Sequence, residues 1–170
     1  MTHPLLHAPL PNSLSHLSHF YFAFLSFLLS AGEWITSATC QYAVNHILSN
    51  YGVDADITTL LNQLEFVIIP IVNPDGVSYT WTNDRLWRKN RRNNGGSYGV
   101  DLNRNYNEQW GGVGSSSVPS SDTYRGPSSA SEPEVQALNA YFLALSNVIG
   151  IPLVSHLCTW LFCFELVLTC

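Results

Sequence analysis

Between Thr36 and Leu48 the apolar residues Ala38, Tyr42, Ala43, Ile47 and Leu48 recur close to helical spacing, which predicts a helix. Tyr51-Gly52 supplies its stop, with glycine just past the last turn. Asp54 to Leu61 reads as a short connection or a turn of helix. From Leu64 to Val72 the pattern changes to a nearly continuous apolar run, Leu-Glu-Phe-Val-Ile-Ile-Pro-Ile-Val. Its β-branched content, and the turn expected at Asn73-Pro-Asp-Gly76, predict a buried strand of the parallel type. From Asn93 to Arg125 the chain is rich in Gly, Ser and Asn, a composition of loops, and loops carry sites. Ser131 and Glu134 then have the spacing of a capping box. The helix after them sets Val135, Leu138, Phe142 and Leu145 on one face. Helix, buried strand, long loops and helix imply an α/β fold.

Two hydrophobic flanks bracket this pattern. Phe20 to Leu29 is interrupted by Ser26 and leads to Ser30-Ala31-Gly32, the outline of a signal-peptide h-region and cleavage site without its basic n-region. Val148 to Cys170 is long enough to span a bilayer, yet it contains Pro152, His156 and Glu165 and has no basic flank. Its other reading is buried sheet or helix, or sequence outside the fold. The expected division is 1–31 as an unmatched segment, 32–150 as the domain and 151–170 as an unmatched tail.

Composition narrows the function. A chain of 170 residues is one domain or part of one. Its net charge of -5 excludes a nucleic-acid partner, because phosphate neutralisation needs a basic surface. Cys40, Cys158, Cys163 and Cys170 form neither a CxxC pair nor a dense framework, so no pairing follows from them. All 7 Lys and Arg residues lie between Arg85 and Arg125, and residues 1–32 hold no charged side chain. Arginine presents a planar fork that meets a carboxylate two bonds at a time. The central block therefore reads as an anion site.

The order of the motifs is more specific than any one of them. It runs Glu33-Trp-Ile35, Pro70-Ile-Val-Asn-Pro-Asp-Gly76, Leu86-Trp-Arg-Lys-Asn-Arg91, Gly99-Val-Asp-Leu-Asn-Arg-Asn105, Thr123-Tyr-Arg-Gly-Pro127 and Ser131-Glu-Pro-Glu-Val135. In order and spacing, from about Gly32 to Gly150, it resembles the zinc metallocarboxypeptidases of the carboxypeptidase A/B type. The resemblance implies a partial carboxypeptidase-like α/β sandwich, with a mixed sheet flanked by helices. It implies hydrolysis of the C-terminal peptide bond of peptides or proteins, with one zinc ion per site. Asn103 and Arg104 would hold the substrate's carboxylate, and Arg88 would stabilise the oxyanion formed as water attacks. A lone arginine of this kind would ordinarily be a solvated cation or a carboxylate's partner. The resemblance further implies a secreted, extracellular protein, a monomer whose partner is a peptide or protein C-terminus, and no membrane association.

The metal ligands depart from the family pattern. Glu33 matches the Glu of the His-x-x-Glu motif, but the position three residues earlier holds Ser30, and Gly32 stands where the family usually has Arg. His3, His7, His16, His19 and His46 all lack a Glu at that spacing, and His46 reads as an ordinary residue of the first helix. His156 falls within a residue or so of the family's second zinc histidine, though its neighbours do not match. The region that carries the family's general base has no counterpart, and Glu165 sits in the wrong context to replace it. A fragment or imperfect gene sequence whose ends lie outside the native fold accounts for both flanks, and it implies weak or absent activity. Two other readings remain: a non-catalytic binder of peptide C-terminal carboxylates, and a protein anchored in a membrane by Val148–Cys170.

Overall fold

The computed structural model describes residues 20–26, 30–145, 148–150 and 153–154. Among these residues four strands form a parallel arrangement: β1 (Phe20–Ser26), β2 (Leu64–Ile68), β3 (Val148–Gly150) and β4 (Leu153–Val154). β1 is central, flanked by β2 and β3, and β4 pairs with it further along. Phe20 stands opposite Leu64 and Phe24 opposite Ile68, while a register shift interrupts the pairing with β3. Parallel neighbours need a crossover. Between β1 and β2 the chain supplies one through α1 (Trp34–Ser49) and α2 (Ala55–Gln63). The run that reads as signal-like from its sequence thus contributes β1.

Local chemistry sets the helix ends. The α1 helix ends at Asn50, whose backbone and side-chain N–H groups both donate to His46 O. Gly52 follows with φ +79°, the left-handed stop that the sequence signals. Asp54 Oδ1 accepts from the backbone of Asp56 and Ile57 and so caps α2, which extends the short connection expected there into a helix. His46 is exposed on α1. In β2, Glu65 and Ile68 are exposed while Leu64, Phe66 and Val67 are half-buried. The expectation of a fully buried strand is corrected to a half-buried one.

Two further expectations are corrected. The Asn73-Pro-Asp-Gly motif opens a helix, α3 (Pro74–Thr82), instead of making a turn. Asn73 Oδ1 accepts from Gly76 N (2.9 Å) and Pro74 holds the first helical position, so the same residues serve as a helix start. The Ser131/Glu134 capping box is not formed. Helix α4 (Pro133–Ala144) takes Glu132 as its N-cap, and Ser131 Oγ donates to Glu132 Oε1 (2.7 Å). The backbone N–H of Glu132 is met by Asn105 Oδ1 instead (3.1 Å).

The apolar core joins α4 to the long loops. Val72, Leu102, Val135 and Leu138 are buried together, with Val67, Ile69, Tyr106, Ala130 and Phe142 packed around them. The loops themselves are held by polar side chains. Buried Asn90 accepts from Val100 N through Oδ1 (2.8 Å) and donates through Nδ2 to Glu132 Oε2 (2.8 Å). Arg92 Nη1 meets the other Glu132 oxygen at 2.7 Å. Glu134 lies beside them, and burial raises its carboxyl above the ordinary range, an effect opposed by its own backbone N–H and the Asn90 amide. Asn105 Nδ2 donates to Arg125 O (2.8 Å), Ser128 O (3.1 Å) and Ser131 Oγ (2.9 Å).

Gly99 fixes the entry to this region. Its φ is +84°, and a β-carbon there would lie 2.4 Å from Asn90 O and 2.6 Å from Lys89 Cβ. Gly95, with φ +75°, has nothing within 4 Å of that position. Gly99→Ala is expected to cost at least about 2 kcal/mol, combining left-handed strain with backbone overlap. Gly95→Ala is expected to cost about 1 kcal/mol from conformation alone. Urea denaturation followed by tryptophan fluorescence measures both, and equal losses would refute the role of close approach.

Candidate functional site

The site is assembled where the segment before α1 meets the loops after α3. Ser30 and Ala31 are buried at this junction, and Ala31 N donates to Arg88 O (3.2 Å). Arg85 Nη1 donates to Gly32 O (2.6 Å) while its guanidinium lies over the Trp34 ring. A β-carbon on Gly32 would come within 3.1 Å of Trp87 O, so glycine lets these two backbones approach. Glu33 is half-buried at the N-cap of α1, its N–H bonded to Ser30 O (3.0 Å).

Asp101 organises the other side. It is fully buried, and its Oδ2 accepts from Arg88 Nε at 2.8 Å. Its Oδ1 accepts from Asn103 N (3.1 Å), capping the single 3-10 turn Leu102–Arg104. The Asn103 side chain then reaches back, and its Nδ2 donates to Ser30 Oγ (3.0 Å). A closed course of hydrogen bonds thus runs from Ala31 to Arg88, Asp101, Asn103 and Ser30. Arg88 Nη2 is buried and has no hydrogen-bond partner among the described residues. A buried donor in that state is an exception that calls for an acceptor.

Arg104 lies on the open side. Its Nε donates to Gly114 O (3.1 Å) and its Nη1 to Asn103 O (3.2 Å), both neutral acceptors. With Asn103, Tyr106, Glu108, Gly112 and Ser115 it lines a cleft of about 240 Å³. Burial pushes the Tyr106 phenol up to about 12, so it stays neutral at physiological pH.

The basic block read from the sequence divides by task. Arg91 is stacked against Tyr79 (3.6 Å), Trp87 (4.5 Å) and Tyr98 (4.8 Å), and Arg125 lies over Trp110. Arg92 pairs with Glu132. Lys89 is buried and donates to Pro119 O (3.0 Å), and desolvation lowers its pKa. Arg88 and Arg104 are the cations brought to the site, with Ser30, Glu33 and Asn103. Sequence reasoning left Asp101 without a role, although an Asp two residues before Asn103 is a capping signal. It also passed over the Gly111–Ser115 loop as a wall of the cleft, where glycine content was the available sign.

His156 and Glu165 lie outside the described residues, as do Cys158, Cys163 and Cys170. Cys40 is buried and free. Among the described residues no group of three or more His, Cys, Asp or Glu side chains is arranged to hold a metal ion. Ser30 Oγ is engaged as an acceptor by the Asn103 amide. The described donors therefore do not fit a zinc centre. Among those residues, too, no helix is long and apolar enough to cross a membrane.

Residues 29–161 match the family described as zinc carboxypeptidase. Carboxypeptidase A2 of Mus musculus is 47% identical over 112 residues, which are 65% of this chain and 27% of that protein. Carboxypeptidase O of Bos taurus is 42% identical over 130 residues, 75% of this chain and 35% of that protein. The chain thus spans about a third or less of these relatives. The crystal structure of thrombin activatable fibrinolysis inhibitor (TAFI) superposes with a TM-score of 0.73 at 36% identity, covering 79% of this chain and 34% of that one. Carboxypeptidase A from Helicoverpa armigera gives 0.71 at 33% identity, covering 81% and 33%. The α/β arrangement, the ordered motifs and these likenesses together make the chain a member of the zinc carboxypeptidase family.

Proposed function

We propose that this chain carries the substrate-gripping half of a metallocarboxypeptidase site, acting on the C-terminal peptide bond of peptides or proteins. The observation that carries the reading is Arg104, a cation with only neutral carbonyl partners among the described residues, set beside Asn103 on the wall of an open cleft. A peptide carboxylate entering there gains charge-assisted bonds from the Arg104 fork and a polar contact from the Asn103 amide. Arg88 serves the next part of the substrate. Asp101 fixes its Nε, leaving Nη2 to meet a carbonyl oxygen as that oxygen gains negative charge. One such preorganised donor is worth about 3 kcal/mol of barrier.

Zinc is the family's metal; Glu33 matches its Glu ligand, and His156 falls within a residue or so of its second histidine. With Ser30 at the third position they fall one short of the three protein ligands that a catalytic zinc requires, so weak or absent hydrolysis follows. By family likeness we place the protein in the secreted class, working as a monomer.

Calorimetric titration with an acetylated peptide, free or amidated at its C-terminus, tests the reading. The free acid is expected to bind about tenfold or more tightly, and Arg104→Ala should abolish the difference. Equal affinity of the wild-type chain for both peptides would overturn the assignment. Asp101→Ala should lower stability by about 3 kcal/mol, since it strips a partly buried guanidinium of its partner and uncaps the 3-10 turn. Its urea midpoint checks this, and an unchanged midpoint would show that the pair holds nothing together.

A further inference from the structure

Ser30 stands where the family places an imidazole, yet it is neither exposed nor idle. It is 2% exposed, and its Oγ accepts from Asn103 Nδ2 at 3.0 Å. The other end of Asn103 is held through its backbone N–H to Asp101 Oδ1, and Asp101 in turn holds Arg88. Arg88 O accepts from Ala31, the residue next to Ser30, which closes the course. An asparagine side chain is otherwise free to turn about its terminal torsion, and that freedom is lost when a ligand must be met in one orientation. The bond to Ser30 uses one of the two Nδ2 hydrogens and fixes the plane of the amide. The second hydrogen remains for a ligand.

We infer that Ser30 is a positioning residue that presets Asn103 for a peptide carboxylate, so that this site binds C-termini independently of any metal. The inference rests on the reading of Asn103 and Arg104 as the carboxylate clamp. It concerns a position that would otherwise be a ligand: the hydrogen bond takes over the ordering that a metal centre would impose on the segment before α1. A serine hydroxyl already engaged as an acceptor is a poor zinc donor, and the described neighbours add no imidazole.

Calorimetry on the full chain tests this, with the acetylated free-acid peptide titrated once after EDTA treatment and dialysis and once with one equivalent of Zn²⁺. The two dissociation constants are expected to agree within about twofold, and Zn²⁺ titrated alone should show no stoichiometric binding. Ser30→Ala should weaken peptide binding about fivefold in the wild-type background and leave Asn103→Ala unchanged, since a positioning residue acts only through its partner. Circular dichroism establishes that each variant is folded, and Ser30→Thr, which keeps the hydroxyl, provides a second variant expected to retain binding. Tight zinc binding with zinc-dependent peptide affinity would overturn metal independence. Equal losses from Ser30→Ala in both backgrounds would overturn the positioning role. In either of those cases the preference for free acid over amide persists, whereas loss of that preference in the wild-type chain brings down the clamp reading and this inference with it.

Discussion

A carboxylate with no access to water must find donors for its oxygens, and Asp101 is such a group. The demand is met by Arg88 on one oxygen and by the start of the 3-10 turn on the other. Its backbone is also engaged, with N–H to Tyr124 O (2.8 Å) and O to Arg104 N (2.9 Å). Three separate stretches are therefore placed by one residue: the Trp87–Arg92 segment, the turn that carries Asn103 and Arg104, and the loop that ends near Arg125. Buried pairs of this kind add little net stability compared with apolar packing, but breaking one is costly. Asp101 is best understood as setting geometry, with stability supplied by the Leu102 cluster beneath it.

The rest of the loop region follows the same physics with different actors. Long irregular segments leave backbone donors and acceptors that helices and sheets would pair internally. Asn105 satisfies three acceptors and one donor, and Asn90 bridges Val100 to the Glu132 carboxylate. Each asparagine offers both functions on one short side chain, which suits a segment without regular ladders. A network satisfied this fully behaves as a rigid scaffold in low dielectric. The cleft beside Arg104 is therefore built on loops that are themselves held in place.

Much of this was legible along the chain. Helical spacing of Tyr42, Ile47 and Leu48 and of Val135, Leu138 and Phe142 marked α1 and α4, and glycine content marked the loops. The motif order marked Arg88, Asn103 and Arg104, which the fold brings to one region. Legibility failed where one residue set can serve two local structures. Asn-Pro-Asp-Gly satisfies a turn and a helix start equally, and packing of Gly76 against Asn73 and Lys89 chose between them. Ser131 could accept from a backbone N–H or donate to a side chain, and the buried Glu132 oxygen took it. Several partners of the seven cations could not be read, because they depend on contacts far apart in sequence. Arg92 and Glu132 are an example, 40 positions apart.

That division of the cations changes how an anion would experience the surface. Three aromatic faces enclose Arg91, another lies under Arg125 and a third arginine, Arg85, rests on Trp34. Guanidinium groups used this way behave as flat, weakly hydrated packing plates. Arg92 has its charge cancelled by a buried acid, and the chain as a whole carries a net charge of -5. Stacking leaves each guanidinium its unit charge, and it is that net charge of the chain that keeps the far field from being that of a cationic funnel. Attraction toward Arg104 is felt within roughly one Debye length, about 8 Å at physiological ionic strength. On the proposed reading a carboxylate would arrive by ordinary diffusion, and the charge of Arg104 would act as a latch after contact.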